Sequence, residues 1–407
     1  MTRCTPLPTT ASWPRLTVTV DRSAAASDRL EQTGLYVHVP FCRSKCCYCN
    51  FPSVAATRRQ LAAFPAALLA ELNSEVPRWQ GHRFSTIFFG GGTPSMLEPE
   101  VLADLLQRCR AALPFSTKTP EVSIEVNPAT IDEAGLSTLR RAGFNRLSVG
   151  VQSFNDTDLH RLGRLHSGAE AVDLIRAARR AGFDNLSMDM MYGLPGQDVD
   201  NWQRNLDTAL DLAPEHLSLY ELTVEPQTPL RSQLDAGGLT LPDERVLLDM
   251  MDRTRQSMTG YVHYEISNYC RPGRACRHNL NYWLGGEYLG LGPGAASFYQ
   301  GQRTTAGADV THYLGQVDVP GQAQGVTEQL GREASFRETM VLGLRMTRGV
   351  SATRLQRRFS FDPLHYYSAL LPKLTSQGLL TVDPVSRRLF LTTKGLTVAN
   401  TVMAEFV

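Results

Sequence analysis

Tyr36-Val37-His38-Val39-Pro40-Phe41-Cys42-Arg43-Ser44-Lys45-Cys46-Cys47-Tyr48-Cys49 joins a strand-like run to a loop crowded with cysteine. Cys42, Cys46 and Cys49 stand in the spacing C-x3-C-x2-C, which offers three thiolates from one loop. Three thiolates bind three irons of a four-iron cubane and leave the fourth open to an outside ligand. Electron-transfer clusters generally take four cysteines, so the pattern points to a 4Fe-4S cluster with chemistry at the free iron. Structural zinc is the rival, but it wants four closed ligands, usually as two separated pairs, and no second pair is suitably placed. Cys47, between two of these thiols, is expected to point away from them.

Outward from this loop the chain alternates strand-like and helix-like segments. Strands are expected at Leu35–Pro40, Ser85–Phe89, Val122–Val126, Arg146–Val151, Leu186–Met191 and His216–Leu222, each with clustered apolar residues, as strands covered on both faces should have. Between them, 98–113 repeats Leu102, Leu105, Leu106, Cys109 and Leu113 on one helical face, and 59–75 does so with Leu61, Phe64, Leu68 and Leu72. Pro65 is tolerable only near the start of that helix. Six such units imply a parallel sheet with right-handed crossovers, short of the eight that close a full barrel. The expected class is therefore α/β, a partial (β/α)6 barrel. The unusual residues all follow strand ends, where ligands of such sheets bind: the cysteines, Gly90–Thr93, Asn127–Pro128, Gln152–Ser153 and Gly193–Gly196.

The divisions expected are an N-terminal extension 1–33, a barrel 34–240, a barrel extension 241–327 and a small C-terminal domain 328–407. In the last, helices lead to Leu379-Leu380, a polar turn at Asp383–Arg388 and Leu389–Leu391, a winged-helix-like ending. Few basic residues line its expected recognition helix, so it reads as a packing or lid module. With 41 basic and 40 acidic side chains in 407 residues, the formal charge of +1 gives no global attraction for nucleic acid or an anionic membrane. No apolar run reaches the roughly 18–20 residues of a transmembrane segment. Eight cysteines, half of them in one loop, are no disulfide scaffold, and the protein is expected to be cytoplasmic. Arg3 and Arg15 faintly suggest a transit segment, but Asp21, Asp28 and Glu31 break that pattern, and 1–33 is expected to be disordered.

The cysteine loop resembles that of the radical S-adenosylmethionine superfamily, in which the methionyl amine and carboxylate chelate the open iron and the cluster's electron cleaves the sulfonium. The resemblance extends to a cofactor site. Gly90-Gly91-Gly92-Thr93-Pro94 resembles the motif that binds the methionyl amino group, so Gly91, Gly92 and Thr93 are implied contacts. Glu125 is implied for the ribose hydroxyls, Tyr48 for the adenine and Tyr36 for the first shell. Gln152, Arg164 and Asp189 match positions where the oxygen-independent coproporphyrinogen III oxidase holds a second S-adenosylmethionine.

Further strings cover most of the chain: Gly143–Ser148, Gly150–Ser153, Tyr192–Gly196, Tyr264–Tyr269, His278–Trp283 and Tyr288–Ala295. They resemble the HemW-type heme chaperone family within the oxidase-like group. The oxidase carries a further cysteine two residues after the third ligand, where this chain has Phe51, and it has a longer N-terminal region that helps place substrate. Both differences argue against porphyrinogen decarboxylation, and no catalytic residue is assigned. The family implies a heme chaperone that binds heme and delivers it to a recipient apo-hemoprotein; the alternative is the oxidase activity of porphyrin biosynthesis. His278, Tyr282 and Trp283 form its HNxxYW motif, with an imidazole able to ligate heme iron and two flat rings for the macrocycle. His278 either coordinates iron or shapes the site. A homodimer is compatible with this reading.

Overall fold

The computed structural model describes residues 33–315 and 325–407, so the expected extension, apart from Thr33, lies outside the described residues. Six parallel strands stand in chain order: β1 Thr33–Val39, β2 Phe84–Gly91, β3 Glu121–Val126, β4 Arg146–Gln152, β5 Leu186–Tyr192 and β6 His216–Glu221. Strand β1 also pairs, in parallel and on its other side, with β9 Tyr288–Leu291. Antiparallel additions extend both edges: β7 Val262–Glu265 and β8 Asn268–Cys270 beyond β6, and β10 Ala296–Tyr299, β11 Gln302–Thr305 and β12 Val326–Gln329 beyond β9. The order β12-β11-β10-β9-β1-β2-β3-β4-β5-β6-β8-β7 makes one 12-stranded sheet whose two ends do not meet, a partial barrel.

The six strands are not apolar on both faces. Leu35, Val37, Ile87, Phe89, Val122, Ile124, Leu147, Val149, Leu186, Met188, Leu217 and Leu219 pack into the helix-side core. The alternate residues Tyr36, Thr86, Ser123, Glu125, Arg146, Ser148, Ser187, Asp189, His216 and Ser218 form a polar row on the inner face. Most of it is buried, and its groups pair with one another: Ser148 donates to Asp189 at 3.1–3.2 Å, and Ser187 and His216 share a hydrogen bond of 2.8 Å. A full barrel fills its interior with aliphatic side chains. This one keeps a polar wall.

The helices cover the outer face. Helix α1 Arg58–Trp79 starts at a capping box between Thr57 and Gln60 and runs further than expected. Pro65 lies well inside it, not near its start, and leaves the Leu61 carbonyl without its helical donor. Burial of Phe64, Leu68, Leu72 and Trp79 offsets that loss. Helix α2 Pro99–Ala112 buries Leu102, Leu105, Leu106 and Cys109 as its periodicity predicts. After α3 Glu133–Ala142, α4 Gly168–Arg180, α5 Val199–Asp211 and α6 Glu244–Ser257 comes the short α7 Arg277–Trp283.

The C-terminal part has its own apolar core around Phe336, Met340, Leu355, Phe359, Leu374 and Leu389. Helices α8 Arg332–Leu344, α9 Ala352–Phe359 and α10 Leu370–Ser376 pack there with β13 Val350–Ser351 and the hairpin β14 Leu380–Asp383 and β15 Arg388–Leu391. These helices and the hairpin make this layer winged-helix-like. Among the described residues no helix is long and apolar enough to cross a membrane.

Candidate cofactor site

The cysteine loop leaves β1 at the carboxyl end of the sheet. Phe41–Cys42 pairs in parallel with Val54–Ala55, which closes the loop at its base, and buried Phe41 meets Phe64 of α1 edge-on at 5.3 Å. Cys49 N–H donates to Cys46 O at 3.2 Å, turning the chain between the two. Cys47 faces elsewhere: its thiol donates to Arg161 O at 3.2 Å and it packs near Leu162 and Leu230. Two of the other thiols face polar side chains. Thr93 Oγ1 donates to Cys42 Sγ at 3.8 Å and Arg164 Nη1 to Cys46 Sγ at 3.6 Å. Burial pushes the Cys49 thiol up, and Cys46 and Cys42 push it further while a backbone hydrogen bond at Phe51 opposes them. The three thiols thus lie within electrostatic reach of each other. A cubane takes its thiolates at separate irons, one from each of three cysteines, which the C-x3-C-x2-C loop can supply.

The glycine run is pressed against the same loop. Gly92 N–H donates to Val39 O at 2.8 Å and Thr93 N–H to Phe41 O at 2.7 Å. A Cβ on Gly92 would stand 2.7 Å from Phe41 O, and one on Gly91, whose φ is +112°, would stand 2.5 Å from the His38 ring. Only glycine permits that approach. Gly91 N–H donates to Glu125 Oε2 at 3.1 Å. Burial, then the Asp189 charge, pushes the Glu125 carboxyl up to about 8. Asp189 is also pushed up by burial.

Tyr36 lies on the inner face, where its hydroxyl meets His38 Nδ1 at 3.1 Å while His38 Nε2 bonds Pro52 O at 2.9 Å. These partners make His38 a neutral imidazole protonated at Nε2, in keeping with the lowering of its pKa by burial. His38 ties the inner wall to the segment after Cys49. Sequence reasoning passed it over, although its i+2 spacing from Tyr36 puts both on one face. Tyr48 packs against the Leu162, Met191, Leu194, Leu222 and Leu230 cluster.

Gln152, Arg164 and Gly150 converge across the end of β4. Gln152 has φ of +66° at a register shift, a strained setting for a side chain other than glycine. Arg164 Nη2 donates to Gly150 O at 2.6 Å, and its buried Nε has no partner. A Cβ on Gly150 would lie 3.3 Å from Gln152 Nε2 and 3.5 Å from Arg164 Nη2. Asp189 pairs with Gly150 in the register of β4 and β5. The glycine cradle, the orphaned guanidinium nitrogen and the three thiols fit a cluster with a bound polar ligand.

The His278 motif lies at the other end of the sheet. Helix α7 is held by both termini: the Glu121 carboxylate accepts from the N–H groups of Arg277 (3.1 Å) and His278 (3.0 Å). Arg354 and Arg358 donate to the carbonyls of Leu284 and Gly285 at 2.7–3.3 Å. The His278 ring stands against Gly34, at the start of β1. Eight residues of extended chain, roughly 25 Å, separate Gly34 from Cys42. His278 is buried, with Nδ1 bonded to Thr86 Oγ1 at 2.8 Å and Nε2 to Tyr282 Oη at 2.9 Å. Burial, then Arg146, lowers its pKa to about 3. Both nitrogens are thus in use, and the ring is neutral. Trp283 lies beneath the Arg345 guanidinium at 4.5 Å, its buried Nε1 without a partner.

Residues 36–209 match the radical SAM superfamily, and 330–398 match the HemN C-terminal domain. The heme chaperone HemW of Bacillus subtilis (strain 168) is 34% identical over 374 residues, 91% of this chain and 98% of that protein. The heme chaperone HemW of Escherichia coli (strain K12) is 40% identical over 66% of this chain and 70% of its own. Among solved structures, coproporphyrinogen III oxidase (HemN) from Escherichia coli, a radical SAM enzyme, superposes with a TM-score of 0.79 at 26% identity, covering 93% of this chain and 91% of that one.

Proposed function

The chain belongs to the radical S-adenosylmethionine superfamily and, within it, to the family of the heme chaperone HemW, and from that premise we propose that it binds heme and delivers it to an apo-hemoprotein, with a 4Fe-4S cluster and S-adenosylmethionine bound at the carboxyl end of its sheet. The observation that carries the reading is the C-x3-C-x2-C loop. Cys42 and Cys46 keep polar partners at the ligand end of the sheet, whereas Cys47 is turned to Arg161.

In this reading Cys42, Cys46 and Cys49 hold three irons. With S-adenosylmethionine bound, the cluster supplies one-electron cleavage of the sulfonium. The surrounding residues bind and orient. The backbone of Gly91 and Gly92, with Thr93, lies beside the thiols and receives the amino acid end of the cofactor. Glu125, protonated up to about pH 8, both donates to and accepts from hydroxyl groups, which suits a ribose. Tyr36 stands on the strand that leads into the loop and Tyr48 within the loop itself. Gln152, Arg164 and Asp189 add a second polar group, with Arg164 supplying a fixed positive charge to a carboxylate. His278 serves heme as a framework residue: its imidazole orients Tyr282 from inside the fold. Tyr282 and Trp283 then offer their rings to the macrocycle.

A second reading is favoured by one observation, the superposition on coproporphyrinogen III oxidase. Against it, the position two residues beyond Cys49 is Phe51, largely exposed, where the oxidase has a cysteine. One anaerobic experiment separates the two. The reconstituted protein receives S-adenosylmethionine, reductant and coproporphyrinogen III; in parallel, heme-loaded protein is mixed with an apo-hemoprotein. The proposal expects no protoporphyrinogen IX and a transfer of the Soret band to the acceptor. Turnover without transfer would establish the oxidase instead.

A further inference from the structure

The strands added beyond β1 carry a row of side chains aligned by the sheet register. Tyr288 of β9 pairs with Phe298 of β10, Phe298 with Arg303 of β11, and Arg303 with Glu328 of β12. Cross-strand partners share a face, so two aromatic rings and a guanidinium stand side by side. The Arg303 guanidinium lies 5.7 Å from the Phe298 ring centre. Tyr282 meets Tyr288 edge-on at 4.6 Å. Across from this row runs α8 of the C-terminal layer, and between them is a cavity of about 220 Å³ lined by Tyr282, Tyr288, Phe298, Arg303, Glu338 and Leu342. Arg303 and Glu338 form an ion pair at its mouth, their side chains 29% and 32% exposed.

We propose that this cavity receives a propionate-bearing edge of heme, with a pyrrole ring against Tyr288 and Phe298 and the carboxylate on Arg303 in place of Glu338. The inference rests on the heme-chaperone reading and names a site for the cargo. Size sets the mode of entry. Pockets that engulf a drug-sized ligand span roughly 300–1,000 Å³, while a cavity of about 150 Å³ holds a single benzene ring. A space of this volume therefore takes an edge of the macrocycle and leaves the rest outside, where a recipient can reach it. Flat rings and a fixed guanidinium are the chemistry that a planar, carboxylate-edged ligand requires.

The charge balance makes a distinctive prediction. Arg303 already faces Glu328 at 3.3 Å and Glu338, so an incoming carboxylate competes with Glu338 for the same donors. Loading exchanges an internal ion pair for a ligand one and releases α8 from the sheet edge at that point. Removing the Glu338 charge should strengthen binding, an effect that a damaged fold does not produce.

The test is a Soret titration of the cluster-reconstituted full chain with hemin and with hemin dimethyl ester, for wild type, Arg303→Gln and Glu338→Gln. Arg303→Gln should weaken hemin by roughly 10- to 100-fold, the worth of a charge-assisted hydrogen bond, and leave the ester unchanged. Glu338→Gln should tighten hemin and leave the ester unchanged. Unaltered hemin affinity in both variants, or equal losses for hemin and ester, overturns the site while the chaperone reading stands. If Arg303→Gln does not fold, Glu338→Gln decides alone: tighter hemin binding supports the site and no change overturns it. Absence of hemin binding by the wild type overturns the reading and the site together.

Discussion

Gly92→Ala places one methyl group against the backbone that carries the first cluster cysteine. The new Cβ would lie 2.7 Å from Phe41 O, 2.9 Å from Phe41 N and 3.0 Å from Phe41 C, all main-chain atoms held in the base of the loop. No rotamer relieves the contact, so either the glycine run or the exit of β1 must move by several tenths of an ångström. The two hydrogen bonds that join them, from Gly92 N–H to Val39 O and from Thr93 N–H to Phe41 O, resist that movement. Overpacking of this kind costs about 1–3 kcal/mol, and weakening two hydrogen bonds adds about 0.5–1.5 kcal/mol each. A total loss of roughly 2–6 kcal/mol is expected, with Cys42 displaced from its partners. The assay is urea unfolding of the apo-protein together with iron and sulfide content after anaerobic reconstitution. Gly81→Ala is the control, since a Cβ there meets nothing within 4 Å. Wild-type stability and full iron loading of Gly92→Ala would refute the reasoning that the glycine run and the cluster loop form one rigid unit.

Three further outcomes are expected. Replacing Cys42, Cys46 or Cys49 by Ala should abolish the cluster absorbance, whereas Cys47→Ala, which loses its bond to Arg161 O and its packing near Leu162 and Leu230, should retain iron near the wild-type level. Glu125 has a folded pKa of about 8, raised from an unfolded value near 4.5, so its favourable contribution is fully present below about pH 4.5 and is lost as pH rises through 8. Unfolding at several pH values should therefore show Glu125→Gln gaining stability on the wild type across that window, by on the order of a few kcal/mol; a flat difference would contradict the buried, protonated carboxyl. His278→Ala leaves Thr86 and Tyr282 without their buried partner and should cost about 2–4 kcal/mol in denaturant unfolding, with the cluster spectrum unchanged because the ring lies at the opposite end of β1.

The parts of the fold that were legible in the sequence are those fixed locally. The helix-side residues of β1 to β6 give apolar runs whose ends differ from the observed strands by only one or two residues, and α2 follows its periodicity. Strand β9 was not legible as a strand, since Tyr288–Leu291 is short, contains Gly290 and finds its partner in β1, far back in the chain. The inner polar row was misread because hydrophobic clustering reports that a strand is buried, not which of its faces is polar. Pro65 was misplaced because local propensity yields to the packing of Phe64, Leu68 and Trp79. In the site, the cysteine spacing can be read from one loop. The meeting of Gln152, Arg164 and Gly150 cannot, because it depends on the register shift in β4 and the path of the following loop. The hydrogen bonds that occupy both nitrogens of His278 come from residues in β2 and on the next turn of α7, so the sequence left its two roles open.

The most direct test of the account is the electron paramagnetic resonance spectrum of the reconstituted, dithionite-reduced protein, recorded before and after S-adenosylmethionine is added. A cluster held by Cys42, Cys46 and Cys49 alone has an iron free to take the cofactor, so the account predicts a 4Fe-4S signal whose g values shift on addition. A signal unchanged by the cofactor, or one that survives Cys49→Ala intact, would contradict it.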